Sequence, residues 1–455
     1  MEMYKAISLK EFEHTKQFKL LSNEYQNDLK ILTLIFPFKV NSYVLDNLID
    51  WDNWENDPIF KLLFPNRKML NEWQYKKLSL AYLENNEEKI RKEIYQIWMQ
   101  LNPHPEGQMN LNIPILKNKK LFGIQHQYQE TVLAFPSRGQ TCHAYCSFCF
   151  RWPQFIGQKE LKISLSDTTL LLEYLQSKPL VTDVLLTGGD PMVMSFKAFR
   201  EYLDPLITNI KKTNVQTIRI GTKSLSYYPF KFTSDPEADD FIKYFDYIVS
   251  GGINLSFMAH FNHPRELEPD VVSDAVKRIR STGAQIRTQA PLLKNINDNS
   301  KIWAEMWRKQ VNLNMIPYYM FVARDTGAKQ YFEVPLERAW KIYSNAYRQV
   351  SGVCKTVRGP IMSALPGKIQ LIGKTEVEKN GNITEAFILR FIQARNPIWV
   401  NRPFMAKLNK NAHWLNDLEP LYGDNFFFHD ELSKMLSPGE KLFRDDYELE
   451  LNYSL

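Results

Sequence analysis

Cysteine is scarce in this sequence: four in 455 residues, and three of them, Cys142, Cys146 and Cys149, share the stretch TCHAYCSFCF. That scarcity and that clustering exclude a disulfide framework. The chain also lacks an uncharged apolar run of about 18 residues, so no membrane-spanning helix is expected. It lacks a dense Lys/Arg tract. The formal net charge of +6 is small for this length, which makes nucleic acid an unexpected partner and mildly favours acidic ligands. The start, MEMYKAISLKEFEHTKQF, is charged throughout and has no apolar core of a secretory signal. A reducing cytoplasm is the expected compartment. Core-forming residues are plentiful: 44% of the chain is hydrophobic and 13% aromatic, which excludes wholesale disorder. The length exceeds one ordinary domain, although an α/β barrel with extensions would fill it.

Three regions follow from patterning. Residues 1–115 read as helical: NEEKIRKEIYQIWMQL carries apolar residues at helical spacing and opposite charges on the other face, and it stops at NPHPEGQ. Residues 116–350 alternate short apolar runs with amphipathic segments. Strands are expected at 131–137, 182–188, 216–222, 253–260, 284–290 and 316–322. Between them lie helix-like stretches such as SDTTLLLEYLQS, with Ser166 as N-cap, and EPDVVSDAVKRIRSTG, closed by Gly283. Such units imply an α/β fold, a parallel sheet with both faces covered, either open or closed as a barrel. Chemistry then gathers at the C-terminal strand ends, where the cysteines, GGDP, His260 and Gln289 fall. In the extension, 351–455, KTEVEKNGNITEAFILRF reads as a hairpin turning at Asn380–Gly381. An irregular aromatic-rich tail packs after it.

Three thiols spaced C-x3-C-x2-C need a reason. A structural zinc site wants four closed ligands, and His143, directly after Cys142, would strain the geometry. A four-iron cubane bound by three thiolates leaves one iron open to an outside ligand. The residues alone leave zinc, or packed core cysteines, as alternatives.

The cysteine run, followed by an aromatic residue, resembles the radical S-adenosylmethionine (SAM) enzymes. LLTGGDP, IRIGT, AHFNHP, PYYMF and PGK then occur in the order and approximate spacing of the lysine 2,3-aminomutase family, over roughly residues 100–370. The resemblance implies a partial (β/α)6 radical SAM barrel with a helical N-terminal region and a C-terminal extension. It implies a [4Fe-4S] cluster on Cys142, Cys146 and Cys149, and SAM on its open iron. A donor such as flavodoxin or ferredoxin would reduce the cluster, releasing a 5′-deoxyadenosyl radical. It further implies an isomerase acting on a small amino acid, and a homo-oligomer. Residue by residue, it carries SAM contacts to Gly188, Gly189, Asp190, Lys223, His260 and Gln289. Relatives have arginine at the position of Lys223, and lysine keeps the charge without the two-pronged fork. The substrate α-carboxylate falls to Arg151. Lys368, in ALPGKIQ, falls where relatives form the Schiff base to pyridoxal 5′-phosphate (PLP), through which nitrogen migrates from Cα to Cβ. His263 is expected only to stabilise a turn.

The pattern departs from the family in three places. Gln127 and Thr131 stand where relatives grip the PLP phosphate with arginines, and Arg138 is a poor replacement. Ile361 and Arg324 (Asp325 after a one-residue slip) stand where lysine-specific members surround the ε-ammonium with aspartates. This argues against free lysine and, through Arg324, for a glutamate-like side chain. Cys354 alone is too little for the zinc that some relatives share between subunits, and a place in the core is expected for it. A PLP-independent enzyme of the same lineage is the alternative. A non-catalytic iron–sulfur or zinc protein is the rival of another class, and it has no use for GGDP, His260 and Gln289.

Overall fold

The computed structural model describes residues 4–102, 111–156, 163–379 and 381–436. Three longer helices of the N-terminal region begin at polar caps: α1 (Asn23–Leu32) at Ser22, α2 (Glu72–Leu83) at Asn71 and α3 (Glu87–Gln100) at Asn86. α2 has a full capping box, with Gln74 returning its side chain to the Asn71 amide at 3.0 Å. α3 is the helix expected at 86–101; most of the breaker NPHPEGQ lies outside the described residues.

One eleven-stranded sheet dominates. Its strands are β1 (Ile124–Tyr128), β2 (Thr131–Ala134), β3 (Asp183–Leu186), β4 (Thr217–Thr222), β5 (Asn254–His260), β6 (Gln285–Leu292), β7 (Ile316–Val322), β8 (Arg358–Ala364), β9 (Gly367–Lys379), β10 (Asn382–Ala394) and β11 (Pro403–Lys407). They lie side by side in chain order. Neighbours from β2 through β8 are parallel, and the outer pairs are antiparallel. All six expected strands are present. β8, written RGPIMSA, is a further parallel strand that periodicity missed.

The crossovers carry α4 (Thr168–Gln176), α5 (Phe196–Thr208), α6 (Ala238–Ser250), α7 (Asp270–Ser281), α8 (Ser300–Asn312) and α9 (Leu336–Arg348). Sequential strand order with crossovers of one hand places these helices on one face. Side chains alternate accordingly. Val132, Val184, Ile218, Phe257, Ile286 and Met320 join the core that the helices share. Their neighbours Leu133, Leu185, Arg219, Met258, Gln289 and Tyr319 line a cavity on the opposite face. The expected burial of both faces by packed elements is therefore half right: the second face meets a cavity. The cap of α4 is Asp167, which accepts from the Thr169 amide at 2.8 Å, and not Ser166. Gly283 follows α7 at φ +83°, as expected of a helix-ending glycine.

β9 and β10 pair from Gly367↔Ala394 to Lys379↔Asn382 as the expected hairpin; Asn380, at its turn, lies outside the described residues. The tail is more regular than expected, because β11 extends the sheet beside β10. Trp399, Trp414 and Phe428 bury against it. Side chains also join the start of the sheet to the β8–β9 turn. Gln127 and Arg395 both donate to the Leu365 carbonyl (3.3 and 2.7 Å), and Arg395 donates to Asn112 at 2.6 Å. Among the described residues no helix is long and apolar enough to cross a membrane.

The N-terminal region packs on the loops beyond the strands, sharing a core with Trp152, Tyr227, Leu293 and Phe332. It holds the cysteine loop by its backbone. Tyr145 and Ser147 amides donate to the Lys39 and Leu62 carbonyls, both at 2.8 Å. Asn41, 1% exposed, accepts from the Val44 amide and donates to the His143 and Tyr227 carbonyls at 3.2 and 3.0 Å. Replacing Asn41 by Ala removes a helix cap and takes the side-chain donor from the Tyr227 carbonyl, while the His143 carbonyl keeps the Tyr4 hydroxyl at 3.0 Å; the expected cost is about 2–4 kcal/mol. The measurement is the midpoint of chemical denaturation, which should fall.

Candidate active site

The cysteines and the residues to which the resemblance assigns SAM, carboxylate or PLP contacts, Asp325 excepted, line one cavity of about 360 Å³. Asp325 is buried beside it and pairs with Lys329.

The cysteines sit on an irregular loop tightened by Cys149 and Trp152 amides that donate back to the Cys146 and Cys149 carbonyls (both 3.1 Å). All three are free thiols. Burial pushes the Cys142 and Cys149 thiols up and that of Cys146 to about 12, and for Cys142 the neighbouring Asp190, Cys149 and Cys146 add to the rise. Thiolates here call for a cationic partner. Among the described residues no trio of His, Cys, Asp or Glu is placed to hold a single metal ion. A cluster that gives each thiolate its own iron needs wider spacing than one ion does. Three thiols within electrostatic reach of one another, open to one cavity, are a donor set that fits such a cluster. His143 points elsewhere: its Nδ1 meets Ser224 Oγ at 2.9 Å, and burial lowers its pKa to about 3, so it is neutral.

GGDP has a reason beyond room for a ligand. A Cβ on Gly189 would lie 2.2 Å from the Thr141 carbonyl oxygen, and one on Gly188 (φ +136°) would meet the Gln140 amide at 2.1 Å. These glycines let β3's end lie against the residues that precede Cys142. Asp190, 2% exposed, accepts from the Met192 and Lys223 amides and from the Thr222 and Ser224 hydroxyls at 2.8–3.0 Å. Burial raises its pKa and these donors oppose the rise.

Lys223 is likewise engaged within the chain. Its Nζ donates to Glu266 at 2.6 Å, Asn262 at 3.0 Å and the His260 carbonyl at 3.3 Å. Glu266 was not foreseen, because its partner lies on another strand end. His260 and Gln289 pair across β5 and β6. Burial and then Lys223 hold the His260 imidazole neutral. His263 accepts from the Arg265 amide at 3.3 Å and starts a turn, as expected.

Arg151 is the orphan of the site. Its Nη1 is buried without a hydrogen-bond partner among the described residues, and its guanidinium lies over Phe135 and Phe150 at 4.6 and 5.1 Å. Burial brings its pKa down to about 10. Arg324 lies over the same Phe150 ring at 4.9 Å. Ile361 is buried within β8, and Cys354 lies in the core as expected.

At the other end of the cavity Lys368 donates to Gln393 Oε1 at 2.6 Å. Burial, then Arg219 and Arg358, push its amine down to about 7, so much of it is neutral and nucleophilic near neutral pH. The positions of the family's phosphate arginines are spent. Gln127 caps main-chain carbonyls, and the Thr131 hydroxyl meets the Asp183 carboxylate at 3.3 Å. Asp183 also takes a two-point ion pair from Arg219 (2.6 and 2.8 Å). A free carbonyl compound fits the amine. The family's phosphate grip has no counterpart at these two positions, and exposed Arg138 pairs with Glu201. Neither Arg219 nor Gln393 was singled out from sequence. The inward phase of β4 could have shown the first; the second depends on a register shift at Lys368/Ile369 that nothing local marks.

With this geometry in view, likeness to known proteins becomes informative. A putative L-lysine 2,3-aminomutase of Aquifex aeolicus is 29% identical over 404 residues, covering 89% of this chain and 93% of that protein. The chain resembles the lysine 2,3-aminomutase family. The L-lysine 2,3-aminomutase of Clostridium subterminale is 25% identical over 61% of this chain and 62% of its own length. The glutamate 2,3-aminomutase of Clostridioides difficile is 24% identical over 47% of each. No protein-family model matches. Among solved structures, a radical SAM methyltransferase from Sphaerobacter thermophilus is 14% identical over 53% of this chain and 68% of that chain, at a TM-score of 0.37.

The Lys368 amine should titrate far below an ordinary lysine. Its labelling by an amine-directed reagent, read by mass spectrometry of its peptide, is expected to rise through about pH 7. Arg219→Gln removes a nearby cation and leaves Asp183, so the midpoint should move to higher pH.

Proposed function

We propose that this chain is a radical SAM isomerase of the aminomutase type, which moves an amino group between adjacent carbons of an α-amino acid. The observation that carries the reading is the cavity itself: three free thiols, a guanidinium with one buried nitrogen that makes no hydrogen bond, and a lysine amine pushed down to about 7 open on the same space. In this reading the parallel strands form a partial (β/α)6 barrel between the helical N-terminal region and the C-terminal extension. Cys142, Cys146 and Cys149 hold a [4Fe-4S] cluster, and a flavodoxin- or ferredoxin-type protein supplies its electrons. Gly188, Gly189, His260 and Gln289, which line the cavity, would hold SAM. Asp190 and Lys223 act from behind, shaping the strand ends. When bound, the cluster and SAM supply a hydrogen-abstracting radical, and PLP at Lys368 supplies a carbonyl that carries the migrating amine.

The chain's own residues set what is abstracted. Arg151, with its free Nη1, receives the α-carboxylate and fixes which hydrogen faces the radical. Arg324 receives a second, side-chain carboxylate. Ile361 and Arg324 offer no home for an ε-ammonium, so the substrate is acidic and free lysine is a poor one. Phe148, Phe150 and Phe332 wall the site and keep water from a reactive intermediate. Gln393 holds the Lys368 amine in place.

The Asp183 carboxylate beside Thr131 favours a second reading, in which the enzyme works without PLP. One experiment separates the two. The reconstituted protein is treated with PLP or with pyridoxal, reduced with borohydride, and the Lys368 peptide is weighed. A PLP adduct formed at lower concentration than the pyridoxal adduct supports the amino shift. No adduct, with SAM still cleaved under reductant, supports the PLP-free enzyme. If the aminomutase reading holds, Arg151→Met should lower kcat/KM about a hundredfold, the scale of two lost charge-assisted hydrogen bonds. Rapid isomerisation of free lysine would sink the acidic-substrate assignment.

A further inference from the structure

Lys39 belongs to the N-terminal region, outside the cavity lining, yet it is fixed to the cysteine loop twice. Its carbonyl accepts from the Tyr145 amide at 2.8 Å. Its ammonium donates to the Thr141 hydroxyl, one residue before Cys142, and lies 4.5 Å from the Tyr145 ring centre. It is half-buried, and among the described residues no carboxylate forms an ion pair with it. The contrast with the other lysine at this end is plain, since Lys223 has Glu266 at 2.6 Å. A hydroxyl and an aromatic face offset little of the cost of burying an ammonium; a cation–π contact contributes about 0.5–1 kcal/mol. The Cys142 thiol lies within electrostatic reach of Lys39, and each acts on the charge of the other.

We propose that Lys39 is the charge partner of the cluster held by Cys142, Cys146 and Cys149, and that it sets how readily that cluster takes an electron. The inference rests on the cluster reading above. A [4Fe-4S] cluster with three thiolates is net negative when oxidised and gains one more charge on reduction. A fixed ammonium beside one ligand stabilises the reduced form more than the oxidised form and so raises the reduction potential. The helical region thereby acts on the electron-transfer step, and not only on stability. Lys39 touches neither SAM nor substrate; it is a positioning residue acting through Cys142 and Thr141.

The test uses the full chain, reconstituted without SAM or substrate. Wild type, Lys39→Met, Lys39→Gln and Lys39→Arg are compared for iron and sulfide content, and for the midpoint of a dye-mediated reductive titration followed by electron paramagnetic resonance. Lys39→Gln keeps a hydrogen bond to Thr141 without the charge. The expected result is equal iron content, with a midpoint shifted to more negative potential in the Met and Gln variants and restored in the Arg variant. Should the Met variant fail to load, the Gln variant decides the matter. A loaded Gln variant at the wild-type midpoint overturns the proposal. So does an Arg variant shifted as far as Gln, and so does loss of the cluster in both neutral variants, since each assigns Lys39 to loop shape alone. A wild-type chain that binds no cluster would overturn the cluster reading instead, and this assignment with it.

Discussion

The site depends on one buried carboxylate. Asp190 draws two backbone amides and two hydroxyls onto itself from the end of β3 and the loop after β4, and Ser224 passes the connection on to His143 beside Cys142. The neighbouring glycines press the same turn against Gln140 and Thr141. An ionised group this deep persists only when its lone pairs are filled. The donors here fill them, and in doing so they fix the cysteine loop relative to two strand ends. The cavity takes its shape at that end from this network.

Charge divides the cavity into two chemically distinct ends. Near the cysteines, Lys223 is neutralised by Glu266, whereas Arg151 keeps a buried nitrogen with nothing to donate to. Near Lys368 the order is reversed: the guanidinium of Arg219 is spent on Asp183, and it is the amine that is left reactive. An anion is drawn toward one end and a carbonyl toward the other. That polarity suits a substrate held by its carboxylate while its nitrogen is handled elsewhere, and it comes from a handful of side chains on inward-facing strand positions.

Much of this was legible in the sequence. The six strands, the hairpin and the convergence of the cysteines, GGDP, His260 and Gln289 follow from period and turn residues, whereas Lys368 was legible only through the family resemblance. The rest required the third dimension. Glu266, Asp183 and Gln393 act on residues 43, 36 and 25 positions away, and no local pattern encodes such pairings. The two glycines of GGDP were legible as close approach, but not what they approach. β8 was hidden because Pro360 interrupts the apolar pattern that marks a strand, and β11 because it is only five residues long and opens on Pro403. From sequence the N-terminal region reads as helical, with nothing to say what it holds. In three dimensions it holds the backbone of the cysteine loop at Lys39, Asn41 and Leu62.

The junction between the start of the sheet and the β8–β9 turn is built differently from the rest of the cavity wall. Elsewhere adjacent strands share a ladder, which parts only with the fold. Here the wall is stitched by Gln127 and Arg395 to Leu365 and Asn112, contacts worth about 0.5–3 kcal/mol each. Thermal breathing will therefore concentrate at this seam, a few residues from Lys368. Loosening there would widen the Lys368 end of the cavity first, while the cysteine end stays held by the donors that converge on Asp190.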